Sequence, residues 1–296
     1  MSFILNWHTP GVDLPRYGLF GSDTSPVNLY LLSEKYNIEV AELDGILFRR
    51  YNGKNINRNG YGFPLSHSSF DMEKVLRILE NDSKERGEGL RFCLCDENQK
   101  NAIDAFRNVK WESFDGDSDY IYSCESLSRL VGRHFRGQRN LINRFSRIYS
   151  TIEYSPLTEQ KLPEALKVAE AWVSEHDEYD DALHQEWRSI QKAAEHWQEL
   201  SMLGSILSVD GLAVAFTMFS ILSPRCADGH FSKSLAKFAA DGAYAVIHQR
   251  NAVTKEIDEC AYMNWEEDMG VPELMKYKEC YHPTFKLKKY YGEVFR

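Results

Sequence analysis

The sequence predicts an α/β protein of two domains, and three observations predict it. The chain has 296 residues, about two domains at ordinary domain size. Its hydrophobic content of 43% against 27% charged residues is that of a globular chain. Strand-like and helix-like apolar patterns alternate through both halves, each of which carries an Asp-Gly hairpin signal.

In the first half, Pro26 to Tyr36 has the apolar positions of a short helix. Ile38 to Ala41 and Ile46 to Tyr51 read as strands, joined by Asp44-Gly45, because such two-residue turns need positive φ. Asp71 to Arg86 has an acidic start and helical spacing at Met72, Val75, Leu76 and Leu79. Leu90 to Leu94 is a buried strand, Glu97 to Phe106 a helix and Asp119 to Tyr122 a strand. Ser126 to Phe145 is helical for at least part of its length. It belongs to a stretch, up to Ile152, with no acidic residue.

A second domain is expected to begin near Ser155-Pro156, giving domains 1–150 and 151–296. Thr158 to Glu175 and Asp181 to Leu200 are amphipathic helices. Leu203 to Val209 and Leu212 to Leu222 are strands around Asp210-Gly211, and His230 to Ser232 ends another. Asp241 to Arg250 is a helix, Cys260 to Asn264 a strand, and Gly270 to Cys280 a helix with Pro272 in its first turn. The Tyr- and Lys-rich tail to Phe295 returns as a strand. The matching order of elements in the two halves suggests a duplicated fold.

The formal net charge of −9 argues against a general nucleic-acid or membrane-surface binder, and no DNA partner is expected. Six cysteines without a Cys-x-x-Cys pair fit a reducing compartment; no metal site is expected. Met1 to Trp7 is not a signal peptide, and no apolar window is long enough to span a bilayer. A cytoplasmic location without stable membrane insertion is expected. Oligomeric state is not legible.

Four constellations carry candidate chemistry. Tyr262 to Gly270 brings Asn264, Glu266 and Asp268 to a strand–helix junction, the usual place for ligands in open α/β sheets. Glu266 or Asp268 could hold an ammonium group or act as a base. Glu267 and Asp268 could equally favour the positive end of the next helix. Lys276 to Pro283 offers Lys278 for a phosphate or carboxylate, and Tyr281 and His282 for proton relay. A solvated helix end would carry the same lysines. Arg129, Arg133, Arg136, Arg139, Arg144 and Arg147 make a dense positive stretch suited to phosphates of a nucleotide, tRNA or lipid headgroup, or to acidic partners within the protein. Lys233, at a strand end, reads as an interior counter-ion, a carbonyl-polarising group or a snorkelling surface lysine. Phosphate-loop, dinucleotide-binding, nucleophile-elbow and zinc-protease motifs do not occur.

Asp119-Tyr120-Ile121-Tyr122 followed by Gly132 to Phe145, then Asn264, Glu266, Asp268 and Gly270, then Lys278, Tyr281, His282 and Pro283, resemble two signatures of one family. It is the bacterial group related to the C-terminal domain of phosphatidylglycerol lysyltransferases. Three positions differ from its pattern: Trp265 stands for an arginine, Ser232 for an acidic residue and Gln138 for a lysine. The resemblance implies an α/β (α+β) fold of two tandem GNAT-like acyltransferase domains, with mixed sheets flanked by helices, as in Fem-type aminoacyl transferases. It implies transfer of an acyl or aminoacyl group to an amine or hydroxyl acceptor. The expected catalytic residues are Glu266, Asp268, Lys233 and Tyr281. The expected substrate-binding residues are Asn264, Gly270, Lys278, His282, Arg133, Arg136, Arg139, Asn140 and Asn143. The expected partner is a small-molecule, tRNA or lipid-headgroup substrate.

The donor is expected to be aminoacyl-tRNA, or another donor in its place. Acetyl-CoA is the alternative, but Ser234 to Gly242 lacks the glycine-rich loop that would bind its pyrophosphate. A non-catalytic binding protein on a degenerate transferase fold is the third reading.

Overall fold

The computed structural model describes residues 5–53, 58–175, 181–254, 257 and 259–295. Residues 1–4 of the N-terminal stretch discussed above lie outside them. The strands are β1 (Glu39–Leu43), β2 (Ile46–Asn52), β3 (Asn59–Tyr61), β4 (Arg91–Cys95), β5 (Val109–Ser113), β6 (Asp119–Ser123), β7 (Ile152–Pro156), β8 (Leu203–Val209), β9 (Leu212–Ser223), β10 (Cys226–Ser234), β11 (Tyr262–Asn264), β12 (Phe285–Leu287) and β13 (Tyr290–Val294). The helices are α1 (Pro26–Leu31), α2 (Ser33–Tyr36), α3 (Met72–Glu85), α4 (Glu97–Asp104), α5 (Cys124–Arg129), α6 (Arg136–Ile148), α7 (Leu162–Ser174), α8 (Asp181–Glu195), α9 (Ala236–Asp241), α10 (Ala243–Asn251) and α11 (Pro272–Glu279).

The chain forms two compact units. One is Met1–Asp119 with Glu267–Gly270 and Leu287–Arg296; the other is Tyr120–Glu266 with Val271–Lys286. The division lies near residue 120 rather than the expected 150. The reason is strand pairing: β6 pairs with β11, and the C-terminal β13 pairs with β4 and β5. Both units are mixed sheets flanked by helices, as a tandem GNAT-like fold requires.

The first unit's sheet runs β1-β2-β3-β4-β13-β5. Asp44 and Gly45 take φ of 54° and 73° between Leu43 and Ile46, the turn that right-handed strand twist favours. Val75, Leu76, Ile78 and Leu79 of α3 pack with Ala41, Phe48, Tyr61 and Phe92 of the sheet. Gly292 of β13 faces Trp111, whose ring would lie 2.6 Å from any added Cβ.

This unit also buries a charged group. Lys289 is 1% exposed and pairs with Asp23 and, at 3.2 Å, with Asp119. Arg49 joins Asp23 at 3.0 Å, and Ser22 donates its N–H and hydroxyl to Asp119 at 2.7 and 2.9 Å. Burial alone would raise the Asp23 carboxyl, but Lys289 and Arg49 outweigh it and hold its pKa below the ordinary value.

The second unit's sheet runs β12-β6-β11-β10-β9-β8-β7. Asp210 and Gly211, with φ of 51° and 79°, close the β8–β9 hairpin as expected. Pro156 sits in β7, at the sheet edge, where a missing N–H costs no ladder bond. Lys233 meets Trp172 of α7, whereas its neighbour Ser232 meets His248 of α10. Successive strand residues face opposite ways, so α7 and α10 cover opposite faces of β10.

One expected helix is broken, and the stretch expected to be helical in part is so in two pieces. Residues 26–36 divide at Leu32. Residues 126–145 divide at the left-handed Leu130 and at Gly132, whose φ are 47° and 103°. Among the described residues, no helix is long and apolar enough to cross a membrane.

Replacing Lys289 with methionine removes the ammonium but leaves two buried carboxylates. Loss of one partner of a buried ion pair costs about 3–5 kcal/mol. Urea unfolding of Lys289→Met should show a loss of that order at neutral pH; a loss below about 1 kcal/mol contradicts this reading of the cluster.

Candidate functional site

β10 and β11 run parallel for only three pairs, Cys226↔Tyr262, Ala227↔Met263 and Asp228↔Asn264. β11 then ends, while β10 continues to Ser234. The opening where the two strands part is therefore flanked by Asp228 to Ser234 on one side and by the turn after Asn264 on the other.

That turn is held from several directions. The fully buried Asn264 accepts the Glu266 N–H on Oδ1 at 2.6 Å. Trp265 N–H donates to Tyr120 O, and Tyr120 N–H to Glu266 O, at 2.9 and 3.1 Å. Lys278 of α11, 7% exposed, donates from Nζ to Trp265 O at 2.5 Å and Glu266 O at 3.2 Å. Glu266 adopts φ of 58°, a left-handed conformation that costs a non-glycine residue about 1–2 kcal/mol. The surrounding bonds offset that strain.

The turn aims Glu266 Oε1 at His230 Nδ1, 3.4 Å away. Asp228 Oδ2 lies 3.8 Å from the same nitrogen, and Ser220 Oγ of β9 is 2.8 Å from His230 Nε2. The Asp228 and His230 side chains are buried, whereas that of Glu266 is 21% exposed and reaches the surface.

Further along β10, Lys233 Nζ lies 3.7 Å from the centre of the Trp172 ring and 2.7 Å from Glu186 Oε1 of α8. It is 7% exposed, so it is an enclosed lysine rather than a snorkelling one. On the opposite face, His248 stacks near Trp265 at 4.5 Å, and burial lowers its pKa to about 3. Trp265 is a core residue. It packs on Tyr122 at 4.3 Å and Tyr281 at 5.0 Å, so the departure from arginine here fills the aromatic cluster. Burial pushes the Tyr281 phenol well above its ordinary pKa, which keeps it neutral.

The structure thus brings Asn264, Glu266 and Lys278 together at one turn, with Lys233 on the strand opposite. Lys278 holds backbone carbonyls, so its role here is to position the turn. Asp268 and Gly270 belong to the first unit. There Asp268 Oδ1 accepts the Gly270 N–H at 2.8 Å, and the neighbouring Glu267 pairs with Arg58 at 2.5 Å. Neither carboxylate caps α11, whose cap position is Val271. His282 is exposed and sits edge-on to His134 at 4.8 Å, beside the start of α6.

The arginines divide by partner. Arg139 donates to Leu130 O and Gly132 O, fixing the turn before α6, and Arg144 pairs with Asp241 at 2.7 Å. Arg129 pairs with Glu125, and Arg147 bonds Asn143 O. Arg133 and Arg136 are exposed and make no ion pair among the described residues; Asn140 and Asn143 are exposed as well. Asp228, Ser220, Trp172, Glu186 and His248 were not among the expected residues. The polar run Asp228-Gly229-His230 between apolar strand residues is the one signal in the sequence that could have found the first of them.

Two measurements follow from this geometry. Lys278→Met should lower stability by about 2–3 kcal/mol, the worth of a charged donor bonded to buried carbonyls, read by urea unfolding; no change would remove the positioning role. His248 is neutral in the fold, while the unfolded chain takes a proton near pH 6.5. Stability should therefore fall as pH drops from about 6.5 towards 3, by up to ~1.4 kcal/mol per pH unit from this group. His248→Gln should remove that part of the slope, and an unchanged slope between pH 4 and 6 contradicts the assignment.

The model of the family described as phosphatidylglycerol lysyltransferase, C-terminal, matches residues 15–292. No curated protein matches. A conserved protein of unknown function from Bacteroides thetaiotaomicron VPI-5482 is 25% identical, with a TM-score of 0.89 over 99% of this chain and 100% of that one. L-PGS from Bacillus licheniformis is 14% identical, with a TM-score of 0.62 over 94% of this chain and 88% of that one. FemX is 7% identical, with a TM-score of 0.57 over 96% and 94%. The last two likenesses are of fold. With nearly its whole length matched and the parted strands of a GNAT-like sheet in place, the chain belongs to the phosphatidylglycerol lysyltransferase C-terminal family, an acyl- or aminoacyl-transferase-like family.

Proposed function

We propose that this protein transfers an aminoacyl group from aminoacyl-tRNA to an amine or hydroxyl acceptor at the opening between β10 and β11. The observation that carries the reading is the parting of two parallel strands around buried polar side chains, with Glu266 at the outer edge. The acceptor's nitrogen or oxygen attacks the ester carbonyl carbon. The bond from that carbon to the ribose oxygen breaks, and the acceptor's proton ends on the departing ribose hydroxyl. Glu266 holds the donor's amine or activates the acceptor as its general base. Lys233 supplies positive charge on the β10 side, where charge develops on the carbonyl oxygen. Arg133 and Arg136 contact donor phosphates.

Acetyl-CoA is the weaker donor. Ala236 N–H, at the start of α9 where a pyrophosphate would bind, already donates to Glu175 Oε2 at 3.0 Å. A carboxylate at that position repels an anion.

Filter binding with charged tRNA tests the donor, and release of labelled amino acid onto an acceptor mixture tests transfer. Binding should weaken steeply with salt, and Arg133→Ala and Arg136→Ala should each lower the salt slope by about 1. Glu266→Gln should keep binding and lower transfer by about 10²–10⁴. Failure of every charged tRNA to bind at low salt, with stabilisation by acetyl-CoA instead, overturns the reading.

A further inference from the structure

We infer that Asp228, His230 and Glu266 form a binding site for one first-row divalent cation, of the zinc or manganese type. Two of the residues lie within β10 and the third in the turn after β11, and their donor atoms, Asp228 Oδ2, His230 Nδ1 and Glu266 Oε1, lie within 4.8 Å of one another. Bonds of about 2.1 Å to a common ion place two donors ~3.4 Å apart at a tetrahedral angle. His230 Nδ1 is 3.4 Å from Glu266 Oε1 and 3.8 Å from Asp228 Oδ2, so a small inward movement completes the set.

A second feature fits a metal-binding imidazole. Ser220 Oγ lies 2.8 Å from His230 Nε2. When Nε2–H donates to that hydroxyl, Nδ1 turns a lone pair towards two carboxylates, an arrangement that a cation stabilises. Fixing one ring nitrogen by hydrogen bonding so that the other can ligate is the usual outer support of a metal-bound histidine. One imidazole among two carboxylates favours zinc or manganese over the all-oxygen preference of calcium and magnesium.

The position has a structural consequence. Asp228 is the last β10 residue paired with β11, and Glu266 lies two residues past the end of β11. An ion bound by both ties the strands together where they part. The two inner ligands are buried and Glu266 is partly exposed, so the remaining coordination position faces outward. The site stands on side-chain geometry and does not depend on which donor or acceptor the protein uses.

The test is equilibrium dialysis of the EDTA-stripped full chain against Zn²⁺, Mn²⁺ and Mg²⁺, with bound metal counted by mass spectrometry. One equivalent of Zn²⁺ or Mn²⁺ should bind, with no comparable uptake of Mg²⁺. Asp228→Asn and His230→Gln should each weaken binding by at least about 100-fold, and Ser220→Ala by about 10–100-fold. Glu266→Gln, on the exposed side, should weaken binding in a chain whose circular dichroism is unchanged, which keeps the test valid if a buried variant fails to fold. In the Mn²⁺ form, electron spin-echo modulation should show one imidazole nitrogen, absent in His230→Gln. Absence of stoichiometric binding overturns the inference, as does binding that Glu266→Gln and His230→Gln leave unchanged.

Discussion

The ammonium of Lys278 and the two carbonyls it holds define the geometry on which the second unit depends. Lys278 Nζ bonds Trp265 O and Glu266 O, and Asn264 takes the Glu266 N–H. Together they keep a glutamate in a left-handed conformation at the end of a three-residue strand. Without that hold, Glu266 is an ordinary exposed carboxylate on a loop. With it, the carboxylate is aimed back across the opening at His230. The same lysine is fixed through its own carbonyl, which accepts from the buried Tyr122 hydroxyl at 2.8 Å. The turn, the start of the family's Tyr-x-Tyr strand and α11 are thus parts of one hydrogen-bonded assembly.

The first unit uses the same device for another end. Lys289, just before β13, is buried between Asp23 and Asp119. Asp23 also pairs with Arg49 of β2, so the cluster ties the residue just before β13 to a strand of that sheet. In each unit a buried lysine near the end of the chain organises polar groups that the apolar core alone would leave loose. The desolvation cost of a buried ion pair offsets much of its Coulombic gain, so such a pair adds little net stability although losing one partner is costly. Such an arrangement suits a protein whose chemistry requires a defined strand end.

Much of this was legible in the sequence. Both Asp-Gly turns are hairpins because positive φ at two successive residues is a local demand. α3 follows from periodicity alone, and β8 from an apolar stretch ending at the Asp210-Gly211 turn. The family signatures located the Asn264–Glu266 turn. The rest needed tertiary information. β3 has three residues, too few for a pattern, and β7 ends in a proline that reads as a linker. Asp228 and His230 have the two-residue spacing of one strand face, but that they meet Glu266 depends on the pairing of β10 with β11, which no local pattern shows. Lysine 278 reads as a solvated helix end, since nothing local reveals carbonyls twelve residues upstream. The arginine-rich stretch reads as one basic face, yet four of its six arginines have partners inside the protein.

The most direct test of this account is the crystal structure of the Lys278→Met variant. With the ammonium gone, Glu266 should leave the left-handed region for negative φ, and its carboxylate should move out of reach of His230 Nδ1. If Glu266 instead keeps its φ near 58° and its 3.4 Å approach to His230, the lysine does not set the site, and the central claim is wrong.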